Sequence, residues 1–282
     1  MNYSGIGLTD VGRRRSRNED SLLVDDQLGL YVVADGIGGY AAGDVASRLA
    51  IHTVVRDIEQ RSDDIAAIRR GVGTEAELSS IAAAAVSRAS RVVYETGQAD
   101  GALSGMGCTL TVLLMGQSSA AMAHVGDSRL YLARSGRIRQ LSTDHSMAQE
   151  LADLGFISPT DIAKLNCGHV LTRSIGRQEQ VTVQELLIDT KPGDRFILCT
   201  DGLSNYLEGP DELSMVLADS TFATSAQCLI DFANTAGGSD NVTAVLVGIA
   251  CSDDLPDLAN APALRGHAMT TEQLPVLELA AI

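Results

Sequence analysis

The chain has 282 residues, 45% of them hydrophobic, which is long enough for one large core. Its 21 Lys and Arg against 36 Asp and Glu leave a net charge of −15, which argues against nucleic acid or an anionic membrane as default partner. The start, Met1 to Gly5, lacks the basic and apolar regions of a signal peptide, no apolar run reaches the ~18 residues of a transmembrane helix, and the five cysteines (Cys108, Cys167, Cys199, Cys228, Cys251) form no C-x-x-C pair. A cytoplasmic protein with reduced thiols is expected.

In chain order, Leu28–Ala34 reads as a buried strand. Asp44–Gln60 reads as a helix with Val45, Leu49, His52, Val55 and Ile58 near one face and Asp44 close to its start. Glu75–Gly97 follows as an Ala-rich helix with Leu78, Ile81, Ala85, Ala89 and Val92 at helical spacing. Strands are expected at Thr109–Met115, Ala120–Val125 and Arg129–Ala133, the last entering a hairpin that turns at Ser135-Gly136. Met147–Gly155 reads as a short helix, Arg195–Thr200 as a strand, Phe222–Ala236 as a helix stopped by Gly237-Gly238, and Thr243–Ile249 as a strand. Strands arrive in clusters with the helices set apart, which predicts a layered α/β sandwich, helices packed outside a two-sheet core. From Cys251 onward Asp, Pro and Ala dominate, so 1–250 is expected to be one folded domain and 251–282 a flexible tail, with its apolar end Leu274–Ile282 a frayed terminus rather than a docking peptide.

Aspartates recur where strands stop: Asp35 after Leu30–Ala34, Asp127 after Met122–Gly126, and Asp201 after Phe196–Thr200, while Asp240 precedes the strand that starts near Val242. One such Asp is ordinary turn chemistry. Several at one end of a core would repel each other unless protons or cations intervened, and an all-oxygen ligand set suits Mg²⁺ or Mn²⁺. Gly-rich neighbours, Asp35-Gly36-Ile37-Gly38-Gly39 and Asp201-Gly202, leave room for backbone to approach an ion or phosphate.

Together these segments resemble the metal-dependent serine/threonine protein phosphatases, the PPM or type 2C family, in its bacterial branch. The resemblance rests on seven segments in family order: Gly12-Arg13-Arg14-Arg15-Ser16-Arg17-Asn18-Glu19-Asp20, Asp35-Gly36-Ile37-Gly38-Gly39, Gly126-Asp127-Ser128-Arg129, Asp144-His145-Ser146, Leu171-Thr172-Arg173-Ser174-Ile175-Gly176, Thr200-Asp201-Gly202-Leu203 and Ser239-Asp240-Asn241-Val242-Thr243. It implies an αββα sandwich of two antiparallel sheets flanked by helices. It implies two Mn²⁺ or Mg²⁺ ions, with Asp35 bridging them, the Gly36 carbonyl on one and Asp201 and Asp240 on the other, and a third, weaker ion at Asp127. Asp20 is placed among the metal ligands and Glu19 and Asn241 just behind them or in contact through water; whether Glu19 or Asp20 lies closer is open. Arg15 is the phosphate-binding arginine by resemblance, with Arg17 in reserve, and a guanidinium fork suits two phosphoryl oxygens.

The implied reaction is attack of a metal-bridging water on the phosphorus of phosphoserine or phosphothreonine, without a covalent intermediate. The implied partners are phosphorylated proteins, among them a Ser/Thr protein kinase and its substrates, in a signalling role. Many eukaryotic relatives carry His after Asp-Gly where this chain has Ile37, which leaves that candidate general acid missing. His145 reads as structural. The stretch from Ser146 to Gly168 falls where relatives carry a variable flap. Three alternatives stay open: a cysteine-dependent phosphatase using Cys167 and Arg173, which satisfy C-x5-R; a catalytically inactive phosphoprotein-binding module; and an enzyme for small phosphate esters.

Overall fold

The computed structural model describes residues 2–250 except 39–41, 159, 161, 163–169 and 219. Two five-stranded antiparallel sheets are stacked. One runs in the order β1 (Tyr3–Asp10), β12 (Val242–Ile249), β11 (Arg195–Cys199), β8 (Arg129–Arg134), β9 (Arg137–Gln140). The other runs β10 (Gln184–Asp189), β7 (Ser119–Val125), β6 (Leu110–Met115), β3 (Leu30–Ala34), β2 (Ser21–Asp25). A short ribbon pairs β4 (Gly36–Ile37) with β5 (Gly107–Cys108).

The period of two along each strand divides its side chains between two layers. In β3, Tyr31 and Val33 enter the layer between the sheets, while Leu30, Val32 and Ala34 pack under α1 (Ala42–Gln60) and α3 (Glu75–Ala99). In β11, Phe196 and Leu198 point into the inter-sheet layer, and Ile197 and Cys199 pack against α7 (Phe222–Ala236) on the opposite outer face. Being covered on both faces is why these strands read as unbroken apolar runs, and the expected layered sandwich is the observed one.

Helix ends follow local chemistry. Thr74 and Glu77 form a capping box at the start of α3, and Gly237 ends α7, with the Gly238 N–H donating to the Ala233 carbonyl at 3.0 Å. The expected hairpin turn has Ser135 at φ 52° and Gly136 at φ 74°, the two positive angles that a type I′ turn requires.

Several elements went unpredicted. β1 carries Gly5 and Gly7, whose lack of a side chain hides a strand signal. A Cβ at Gly5 would stand 2.4 Å from the Tyr31 ring, so the glycine is there to let the two sheets approach. β2, β10, α2 (Ser62–Arg69), α5 (Asp201–Ser204) and α6 (Pro210–Val216) are short or lie at edges, where periodicity is weak, while β9 is the second arm of the expected hairpin. The short helix α4 (Met147–Asp153) falls where expected.

Candidate active site

The strand ends on one side of the sandwich open into a cavity of about 970 Å³. Of the residues picked out in the sequence, Arg15, Glu19, Asp35, Gly36, Asp127, Asp201, Asp240 and Asn241 line it, together with Arg17. Asp20 sits behind them, buried.

Asp35 leaves the end of β3, where its N–H donates to Thr109 Oγ1 at 2.9 Å and its carbonyl accepts from the Thr109 N–H at 2.8 Å. Gly36 is required by crowding, since a Cβ there would fall 2.3 Å from the Gly43 carbonyl and 2.5 Å from the Glu19 carbonyl. Asp201 starts α5 directly after β11. Its neighbour Gly202 packs so closely on the next strand entry that a Cβ would lie 1.9 Å from the Asn241 carbonyl oxygen. These two glycines, read in the sequence as room for an ion, are fixed here by backbone approaching backbone.

Asn241 holds the arginine loop to the carboxylates. Its Oδ1 accepts from the Glu19 N–H at 2.8 Å, and its Nδ2 donates to the carbonyls of Val11 at 3.0 Å and Arg17 at 2.8 Å. Arg15 reaches across the rim and donates from Nη2 to Asp240 Oδ2 at 2.7 Å.

Asp127 is positioned by a histidine pair. The Gly126 N–H donates to His145 Nδ1 at 3.1 Å, and His124 Nε2 donates to the Gly126 carbonyl at 3.0 Å, the rings lying 4.9 Å apart. Burial pushes both imidazoles down, to about 4 for His124 and about 3 for His145, so both are neutral acceptor-donors near pH 7. His145 therefore acts as a clamp on the Asp127 turn, in line with the structural role expected of it. The preceding Asp144 accepts from Arg129 Nε at 3.0 Å and Nη2 at 2.7 Å, so two of the sequence segments close on each other.

The electrostatics set a condition on what the cavity holds. Desolvation first, then the charges of Asp20, Asp201 and Asp127, hold Asp35 well above the usual carboxylate range. Burial, then Asp201 and Asp144, push Asp127 up to about 7. Asp20 is also pushed up to about 7, mainly by burial and against the opposing effect of hydrogen bonds from Thr243 Oγ1 at 2.6 Å and Thr200 Oγ1 at 2.8 Å, which both go to Oδ2. Its Oδ1 is buried with no hydrogen-bond partner. Like-charged oxygens crowded in a low dielectric need protons or a cation, and hard oxygen donors with an orphaned carboxylate oxygen beside them fit a divalent ion.

Sequence reading missed Thr109, Thr200 and Thr243 as supports, and Ser174 and Arg177 as cavity lining. The first three were legible only as neighbours of the aspartates. Arg177 follows the segment ending at Gly176, and nothing in its local sequence marks it. Gly39, Cys167 and the tail 251–282 lie outside the described residues.

The family described as protein phosphatase 2C matches residues 11–241. Protein phosphatase PhpP of Streptococcus pneumoniae is 32% identical over 246 residues, which cover 86% of this chain and 96% of that protein. The serine/threonine phosphatase PstP/Ppp of Mycobacterium tuberculosis superposes with a TM-score of 0.79 at 30% identity, covering 89% of this chain and 100% of that structure. A catalytic domain of PstP in complex with two manganese ions gives a TM-score of 0.73 at 31% identity, covering 88% and 99%. The chain thus belongs to the protein phosphatase 2C family, among its bacterial, metal-dependent serine/threonine phosphatases.

Proposed function

We propose that residues 1–250 act as a catalytic domain that dephosphorylates phosphoserine and phosphothreonine in proteins at the cavity around Asp35. The observation that carries the reading is the convergence of Asp20, Asp127 and Asp201 on Asp35, each raising its affinity for a proton, on a cavity rimmed by Arg15. Asp35, Asp201, Asp240, Asp127, Asp20 and the Gly36 carbonyl would hold two Mn²⁺ or Mg²⁺ ions and a third at Asp127. When bound, divalent ions supply an activated water and neutralise the phosphoryl oxygens.

The chain's own groups do the rest. Arg15 offers a planar donor fork to the phosphate from a loop that Asn241 fixes, exchanging its Asp240 partner for phosphoryl oxygens. Histidines 124 and 145 hold the Asp127 turn without titrating. Ile37 carries no proton to give the leaving oxygen, so that step has no side-chain acid at the position some relatives use. No cysteine is needed, and Arg173 is not among the described residues lining the cavity. The partners proposed are phosphorylated proteins, including a Ser/Thr kinase and its substrates in the cytoplasm; no helix among the described residues is long and apolar enough to cross a membrane.

The test is phosphate release from a phosphothreonine peptide after EDTA and after Mn²⁺ or Mg²⁺ is restored, with Asp201→Asn and Cys167→Ser in parallel. Metal-dependent activity that collapses in Asp201→Asn and survives in Cys167→Ser is expected. Activity that persists in EDTA and vanishes in Cys167→Ser would establish the thiolate alternative, and inactivity throughout would favour the binding module.

A further inference from the structure

A second cleft, about 510 Å³, lies between α1 and α3 and is lined by Arg61, Arg88 and Arg91 together with Asp57, Glu179 and Val181 among others. Asp57 is 6% exposed, and its Oδ2 has no hydrogen-bond partner. Its nearest cations are Arg61 Nε at 3.7 Å and Arg88 Nε at 3.6 Å, both too long for hydrogen bonds. The closest approach of each guanidinium is through Nε, so the Nη ends lie farther from the carboxylate. Arg91 meets Glu95 only at 4.0 Å. All three arginine side chains are about half exposed, at 44%, 53% and 52%. The lining sets these three arginines against two carboxylates, Asp57 and Glu179, so the cleft carries a net positive charge in a chain of net charge −15.

The cleft is joined to the active cavity by five consecutive residues. Arg177 lines the cavity, and Glu179, Gln180 and Val181 line the cleft. The Gly176 N–H and the Gln178 carbonyl both bond to Ser90 Oγ on α3, at 3.3 and 3.5 Å, which ties this connection to the helix that carries Arg88 and Arg91. Four residues span roughly 14 Å at most, so the two rims are within reach of one extended peptide.

We propose that the Arg61–Arg88–Arg91 cleft is a docking subsite for a second phosphoryl group on the same polypeptide as the one being hydrolysed. The inference rests on the protein-phosphatase reading of the cavity. Asp57 acts as a fixed counter-ion that orients two guanidiniums, and their outer N–H groups meet the phosphate, a geometry for which arginine is suited.

The test uses the full chain with Mn²⁺ on a phosphothreonine peptide and on the same peptide carrying a non-hydrolysable phosphonate about four to eight residues away on either side. At least one placement should lower KM about tenfold or more, with kcat unchanged. Arg61→Ala and Arg88→Ala should each remove most of that gain and leave hydrolysis of a small aromatic phosphate ester untouched. Arg91→Ala, which removes among the described residues the long contact with Glu95, should weaken the gain with no effect on the fold. The proposal is overturned if no phosphonate placement lowers KM, or if the gain survives in the Arg61→Ala/Arg88→Ala double variant. Failure of the cavity reading looks different, since the singly phosphorylated peptide would then not be hydrolysed at all.

Discussion

The side chain of Asn241 and the backbone of Glu19 meet at 2.8 Å across 222 positions of sequence, and through this contact the last strand of one sheet holds the loop that carries Arg15. The same amide donates to the carbonyls of Val11 and Arg17. Asn241→Ala removes the partner of three backbone groups at once, each worth about 1–3 kcal/mol when left unpaired in a buried setting. The expected result is a loss of roughly 2–4 kcal/mol in urea unfolding together with a raised KM for phosphopeptide. A variant of unchanged stability and KM would remove Asn241 from this role.

Burial and neighbouring carboxylates raise Asp20 and Asp127 to about 7, above their unfolded values near 4. Between those limits the metal-free folded state binds more protons than the unfolded state, so these groups make stability fall as pH rises from about 4 to about 7. Divalent metal should reverse the penalty, so the gain in Tm on adding Mn²⁺ should be larger at pH 8 than at pH 5. Asp127→Asn should flatten the pH slope measured in EDTA. A slope that is the same in wild type and Asp127→Asn would count against the cluster.

Gly202 tests the backbone fit. Its missing Cβ would sit 1.9 Å from the Asn241 carbonyl oxygen, which belongs to a buried strand entry and has little freedom to withdraw. Gly202→Ala should therefore cost about 1–3 kcal/mol in thermal or denaturant unfolding and displace Asp201 from its place beside Asp35. Activity should fall even at temperatures where the variant remains folded.

Arg15 supplies a fourth outcome. Its salt bridge to Asp240 is half exposed and contributes little to folding, so Arg15→Ala should leave Tm within about a degree or two of wild type. The loss should appear in kcat/KM, by roughly 10²-fold, if Arg15 is the proposed two-point grip on phosphate. Arg15→Lys should recover only part of it, since a point charge lacks the fork. If Arg17→Ala gives the large effect and Arg15→Ala does not, the roles of the two arginines are exchanged.

Much of this was legible in the sequence, and the reasons differ from one element to another. Strands covered on both faces, such as β3 and β11, show as apolar runs, and an Asp at the end of each such run stands out, although one alone reads as ordinary turn chemistry. The convergence of Asp35, Asp127 and Asp201 depends on strands of two sheets whose partners lie far off in the chain, Leu30 opposite Leu114 and Cys199 opposite Arg129, and spacing along the chain carries no trace of it. β1 stayed hidden because Gly5 and Gly7 are there for sheet packing, which a single sequence does not display. Arg177 and the Arg61–Arg88–Arg91 cleft were invisible for a similar reason, since α1, α3 and the 177–181 segment bring them together only in the fold.

Asp35 stands among carboxylates that are proposed to share bound metal. Titration of metal-free protein with Mn²⁺, followed by calorimetry and by the signal of free Mn²⁺ in electron paramagnetic resonance, tests it without reference to turnover. Wild type should take up two ions tightly, and Asp35→Asn should lose the affinity for both while unfolding in EDTA at a temperature no lower than wild type, because one of the repelling charges is gone. Retention of wild-type stoichiometry and affinity by Asp35→Asn would mean that Asp35 does not hold the ions.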